Sequence, residues 1–252
     1  MPSTPVQPEG PHRSWVFRVS RTLSRWVIIA MYRARAQNRS VVPAHGALLI
    51  AANHQSYLDP PLVGGYVTQR ECHFVARAGL FKFAPFGRFL EALNCIPIRE
   101  EQGDAGAIRE VLRRLARGEA VVIFPEGSRC HDGAMTPFKR GVALLVKRAK
   151  VPVVPAAVEG CFDAWPRGRR PRLLGARVVV RYGEPIPYDD LMKDGPDAAL
   201  ARLQRQIDAM RLELRAELRQ ASGGAFPAPG PGDRPFVPSA PVPSPASPPA
   251  GP

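Results

Sequence analysis

Between Gly10 and Leu58 the chain carries no acidic residue at all, and its 252 residues hold only 22 Asp+Glu against 35 Lys+Arg, for a net charge of +13. Such an imbalance points to an anionic partner. Long apolar runs are missing too. The longest candidate, Trp26 to Tyr32, has seven residues, far short of the ~20 that a membrane-spanning helix needs. The first residues also lack the charged, apolar and small-residue order of a secretory signal. Cys72, Cys95, Cys130 and Cys161 stand far apart with no CxxC spacing. That pattern argues against a disulfide framework or a metal site and favours a reducing compartment. From Ala221 to Pro252 the only charges are Asp233 and Arg234, while 11 of the 29 prolines fall there. A segment so poor in apolar area predicts a Pro-rich disordered tail over 221–252, and residues 1–13 read as disordered in the same way. The chain as a whole is 45% hydrophobic, and the stretch between these ends has enough apolar residues for the core of one domain.

Over residues 14–40, arginines stand among large apolar side chains. Arg18, Arg21 and Arg25 share one helical face, with Val16, Val19, Leu23 and Val27 offset from it and Trp15 and Trp26 nearby. This pattern predicts an amphipathic helix at a membrane interface. The arginines would meet anionic headgroups at about 1 kcal/mol each, and the Trp-bearing face would enter the acyl boundary. The alternative is a helix that packs on its own domain and keeps its arginines in water.

Beyond it, Ala47 to Ala52, Cys72 to Ala76, Asn94 to Ile98, Ala120 to Phe124, Val151 to Val158 and Arg177 to Tyr182 read as strands. Helical periodicity lies between and after them, in Ile108 to Leu115, Val142 to Lys150 and Leu200 to Leu218. Alternation of this kind predicts an α/β fold, a central mostly parallel sheet flanked by helices, over residues 41–220. A second acid-free basic stretch, Arg167 to Arg181 beside Trp165, is either a solvated loop or a further anion-binding surface.

Chemistry concentrates just after the strands. Asn53-His54-Gln55-Ser56-Tyr57-Leu58-Asp59-Pro60-Pro61 follows the first run. On a straight helix five residues turn by about 140°, which would put His54 and Asp59 on different faces. Pro60 and Pro61 suit the first turn of a new helix, with Asp59 as its N-cap, so the preceding turn is free to fold His54 back toward Asp59. A carboxylate on one imidazole nitrogen leaves the other to accept a proton, as a general base must. The competing reading is a structural His beside a capping Asp. Phe124-Pro125-Glu126-Gly127-Ser128-Arg129 follows another strand, and Pro137-Phe138-Lys139-Arg140-Gly141 comes next. Gly127 allows close backbone approach, Arg129 offers a planar fork for phosphate, and Lys139 and Arg140 add positive charge. Arg99 follows a third strand and supplies another cation.

These residues resemble the glycerophospholipid acyltransferases of the lysophosphatidic acid acyltransferase type. His54 to Asp59 matches the family's H-x4-D block and Phe124 to Arg129 its third block. Ile96-Pro97-Ile98-Arg99 resembles the second and Val151-Pro152-Val153-Val154-Pro155 the fourth. Ser128 stands where Thr is usual and Cys130 where Ser is usual. The resemblance implies a glycerol-3-phosphate acyltransferase-like fold and transfer of an acyl group from acyl-CoA or an acyl-carrier protein, as co-substrate with no cofactor, to a lysophospholipid hydroxyl. The acceptor it implies first is 1-acylglycerol 3-phosphate, with another lysolipid, such as a lyso-ornithine lipid, as the rival. His54 would be the base and Asp59 its orienting partner. Arg99, Glu126, Gly127, Ser128, Arg129 and Lys139 would bind substrate, and Pro155 would contact the acyl donor or serve packing. It further implies a peripheral or monotopic protein on the cytoplasmic face of the plasma membrane. From charge alone, a non-catalytic module that binds membrane or nucleic acid stays open, although no nucleic-acid motif is present.

Overall fold

In the computed structural model, residues 11–98, 103–173 and 175–237 are described. Seven strands form one sheet: β1 (Arg35–Gln37), β2 (Leu48–Ala52), β3 (Cys72–Arg77), β4 (Cys95–Ile98), β5 (Ala120–Ile123), β6 (Val153–Glu159) and β7 (Val179–Tyr182). Their order across the sheet is β1-β7-β6-β2-β5-β3-β4. All neighbours run parallel except β6 and β7, which pair antiparallel. Strands β2, β5 and β6 are buried on both faces, which is why they read as unbroken apolar runs and not as alternating ones.

Successive side chains point to opposite faces and so build two cores. Leu48, Ile50 and Ala52 meet Ile28 and Tyr32 of α1 (Pro11–Tyr32) and Leu62 and Val63 of α2 (Asp59–Tyr66). Leu90 and Leu93, of α3 (Ala84–Ala92) and its C-cap, join this layer. On the other face, Leu49 and Ala51 meet Val111 and Leu115 of α4 (Gly103–Leu115) and Leu145 of α5 (Arg140–Ala149). Leu191 of α7 (Tyr188–Met192) and Leu203, Ile207 and Leu214 of α8 (Pro196–Ala221) complete that layer. A short helix, α6 (Cys161–Ala164), follows β6.

Three features depart from the sequence reading. First, the N-terminal helix begins at Pro11, inside the stretch expected to be disordered, and ends at Tyr32, and residues 35–37 form an edge strand beside β7 instead of continuing the helix to 40. Three residues with polar ends leave no periodicity to read. Second, the Trp-bearing face points outward, as the interfacial reading expects, but two of the three arginines turn toward the domain instead of toward headgroups. Arg21 faces inward, donating to the carbonyls of Val67 and Arg70, and Arg25 lies against Gly65 of α2. Trp15, Val19, Leu23, Trp26 and Val27 are left in the open, Leu23 at 62% and Trp26 at 58% exposure.

Third, in the described part of the expected disordered tail, Ala221 still belongs to α8 and residues 222–237 form a strap laid along that helix. Arg211 donates to the carbonyls of Gly232 and Arg234, Arg215 to that of Ala228 and Arg219 to that of Pro227. Asp233 accepts from both Arg215 and Arg219, and Phe226 is inserted in the core. Composition misses this because arginine side chains of α8 satisfy several of the strap's carbonyls, which its own short 3-10 turn at Pro231–Asp233 leaves open. Residues 1–10 and 238–252, on which the remaining disorder expectations fall, lie outside the described residues. Phe226→Ala is expected to lower unfolding stability by about 3 kcal/mol, as loss of a core phenylalanine does, whereas a free tail would give no change in chemical denaturation.

Candidate active site

Parallel neighbours β5, β2 and β6 all end at the same edge of the sheet, the usual ligand edge of open α/β folds, and the segment after each contributes to one site. After β2 the chain makes a tight turn over residues 53–58 before α2 begins. Asp59 is the first helical residue and Leu58 the N-cap, so the expected capping role moves. The Asp59 carboxylate points back into the turn, where Oδ2 accepts the amide N–H groups of Gln55 at 2.5 Å and Ser56 at 2.7 Å. The same oxygen lies 2.8 Å from His54 Nδ1. Asp59 is fully buried and the His54 side chain is 18% exposed. With Nδ1–H donated to Asp59, Nε2 is the nitrogen left to accept a proton, and stacking on Phe124 at 4.2 Å between ring centroids fixes the imidazole plane.

The turn after β5 closes over this pair. Glu126 accepts the His54 backbone N–H at 2.7 Å through one oxygen and both the amide and hydroxyl of Thr136 through the other. Burial pushes the Glu126 carboxyl up, and the Thr136 and His54 donors oppose the shift. The Cys130 N–H donates to the His54 carbonyl at 2.8 Å, tying the two turns together a second time. Gly127 has φ +70°, and a Cβ there would fall 2.3 Å from Lys139 Cε, so the lysine lies directly across the glycine. Ser128 belongs to the same turn. The Arg129 guanidinium sits 3.6 Å from the centroid of the Tyr57 ring, within the H-x4-D block itself.

The third wall follows β6. Gln55 donates to Glu159 Oε2 at 3.0 Å and accepts the N–H of Phe162 at 3.2 Å. Ser56 Oγ donates to the Trp165 carbonyl, and the Trp165 ring meets Tyr57 edge-on. Gly160 makes this exit possible: with φ +83°, a Cβ would lie 2.0 Å from the Arg177 carbonyl oxygen.

His54, Asp59, Glu126, Gly127, Ser128, Arg129 and Lys139 are therefore placed together at one sheet edge. Arg99 lies outside the described residues. Pro155 sits elsewhere, inside β6 opposite Ala51 and against Gly183, in a packing position. Sequence reading overlooked Gln55, Phe124 as a ring partner, Thr136 and Glu159. Of these only Glu159 left a trace, as an acid closing an otherwise apolar strand. His131-Asp132-Gly133 lies in a bend, where the Ala134 N–H donates to Asp132 Oδ1 at 3.1 Å.

The Acyltransferase family model matches residues 33–159, just over half of the chain and the stretch that holds both turns. The chain belongs to the acyltransferase family. Among its relatives, the 1-acyl-sn-glycerol-3-phosphate acyltransferase of Bacillus subtilis is 26% identical over 74% of this chain and 90% of its own length. The alpha form of that enzyme from Ovis aries is 29% identical over 78% of this chain and 69% of its own. The crystal structure of PlsC, the 1-acyl-sn-glycerophosphate acyltransferase of Thermotoga maritima, superposes with a TM-score of 0.70 over 84% of this chain and 85% of that one. At 23% identity this likeness establishes the fold, the mostly parallel sheet with flanking helices. Membership makes the chain an enzyme that transfers acyl groups and sets aside the non-catalytic binding module.

None of the four cysteines has the environment of a nucleophile in this acyltransferase. All are buried free thiols. Burial pushes Cys72 and Cys95 up to about 12, and Cys130 and Cys161 also rise, with nearby carboxylates adding to the effect. Iodoacetamide at pH 8 is accordingly expected to leave the native protein unlabelled and to label four sites in guanidinium, read by intact mass; labelling of one site in the native protein would contradict it.

Proposed function

We propose that this acyltransferase moves a fatty acyl group from an acyl thioester to the free hydroxyl of 1-acylglycerol 3-phosphate, forming phosphatidate for phospholipid synthesis. The observation that carries this reading is the buried Asp59 holding His54 Nδ1, with Arg129 mounted on Tyr57 of the same short block. His54 Nε2 takes the proton of the acceptor hydroxyl as its oxygen attacks the thioester carbonyl. The C–S bond then breaks, and the departing sulfur receives the proton from the imidazolium. No acyl-enzyme is required, so the work of the protein is proton transfer and alignment of two substrates. Arg129, Lys139 and the backbone freed by Gly127 are suited to the acceptor phosphate, the chemistry that the relatives' names describe. Acyl-CoA and acyl-carrier protein both meet the requirement for a thioester donor.

Membrane attachment belongs to the same proposal. Among the described residues no helix is long and apolar enough to cross a membrane. The outward row Trp15, Val19, Leu23, Trp26 and Val27 is instead a contiguous apolar face, rimmed by Arg18, on a helix without acidic residues. Such a face suits insertion at the lipid interface on the cytoplasmic side, where both substrates would be met.

Three experiments test these readings. Thiol release from acyl-CoA with lysophosphatidate as acceptor, with the lipid product verified by mass spectrometry, is expected to fall about 10²- to 10⁴-fold in His54→Ala. Arg129→Ala is expected to lose lysophosphatidate acylation while sparing an uncharged lysolipid, and equal loss on both acceptors would remove the phosphate role. Replacing Trp15, Leu23 and Trp26 with Ser is expected to abolish flotation with anionic liposomes while leaving turnover of a soluble short-chain acceptor in place; unchanged flotation would refute the interfacial helix.

A further inference from the structure

The strap over residues 222–237 reaches the active site through an unbroken series of hydrogen bonds. Asp233 Oδ1 accepts from Arg215 Nε at 2.8 Å. Arg215 Nη1 donates to Glu159 Oε1 at 2.7 Å, and the other Glu159 oxygen accepts Gln55 Nε2 at 3.0 Å. The Gln55 backbone N–H then donates to Asp59 Oδ2, the oxygen that holds His54. Glu159 and Arg211 are wholly buried, and Arg215 and Asp208 nearly so. Buried ion pairs of this kind are poor sources of stability, because desolvation offsets their attraction and apolar side chains of equal volume serve as well. A buried network does, however, impose orientation. Gln55 is held at both ends of its amide, by Glu159 and by the Phe162 N–H, so its side chain has one available conformation and its backbone N–H one direction. Glu159 is hydrogen-bonded by the fork of Arg215, with Arg211 a further ion-pair partner at 3.7 Å, and that fork is aimed by Asp163 and by two strap groups, Asp233 and the Ala228 carbonyl.

We propose that the strap acts in catalysis, with Asp233, Arg215, Glu159 and Gln55 as positioning residues that hold the Asp59 carboxylate on His54. The inference rests on the reading of His54 and Asp59 as the base and its orienting partner. None of the four residues is required to touch substrate. Their loss should therefore slow proton transfer without weakening binding of either substrate.

The test is a double-variant cycle in the full-length protein, with Gln55→Ala, Asp233→Asn and both together, each assayed for kcat and for KM toward donor and acceptor. Each single change is expected to lower kcat about fivefold, the size of a coupling within one hydrogen-bonded network, with both KM values kept. The double variant should be no slower than the slower single one, although Asp233 and Gln55 do not touch. Losses that multiply, or an Asp233→Asn variant that lowers the melting temperature and leaves kcat alone, would overturn the relay. Should Asp233→Asn fail to fold, Arg215→Lys breaks the same link while keeping the charge on Glu159, because an ammonium lacks the planar fork that joins Asp233 to Glu159. The same pattern of kcat loss is then expected. His54→Ala run in parallel separates the two readings. Activity surviving in that variant overturns the base assignment and the relay with it. Activity lost there, with multiplying losses in the cycle, overturns the relay alone.

Discussion

A single carboxylate oxygen organises the site. Asp59 Oδ2 receives two backbone N–H groups and faces the imidazole nitrogen of His54, all inside the protein, where an unpaired charge would be prohibitively costly. Once that oxygen is satisfied in this way, the turn over residues 53–58 has little freedom. His54 must emerge with Nε2 outward, and the Gln55, Ser56 and Tyr57 side chains are sent in three fixed directions. Each of those directions is used. Gln55 reaches the buried acid at the end of β6, Ser56 reaches the backbone beyond α6, and Tyr57 supplies the face on which Arg129 lies.

The sheet explains why three distant segments converge on that turn. Strands β5, β2 and β6 are adjacent and parallel, so residues 124–129, 53–58 and 160–165 leave the same edge side by side. Glycines at 127 and 160 permit positive φ where a side chain would strike Lys139 or the Arg177 carbonyl. Glu126 then acts as a bracket between two of the three segments, with each oxygen committed to a different donor group. Chemistry at such an edge depends on backbone register more than on any one side chain, which fits a reaction whose main demand is alignment of hydroxyl, base and thioester.

Charge is distributed less simply than the net value suggests. Arg21 and Arg25 are drawn into the seam between α1 and α2, and Arg211 and Arg215 are consumed by the strap and by Glu159. Arg18, beside the apolar helix face, stays exposed, and Arg129 at the site is half-buried against the Tyr57 ring. A strongly basic sequence thus spends part of its charge on internal architecture.

Sequence by itself determined the α/β class, the parallel core strands and the chemistry-bearing blocks, because these are written in local signals: apolar runs buried on two faces, proline after Asp59, glycine after Glu126. It also marked His54 and Asp59 as a possible pair, because the two prolines rule out a straight helix through them. Tertiary structure decided what depends on partners remote in the chain. Arg21 of α1 was drawn inward by carbonyls at Val67 and Arg70, far from it in the chain. Residues 35–37 became a strand only because β7 offered an edge. The strap was ordered by arginines on α8 that satisfy its carbonyls, and the role of Glu159 emerged only when β6 was laid beside β2. Local patterns record how a segment buries its own surface; they hold no record of a hydrogen bond whose other half lies a hundred residues away.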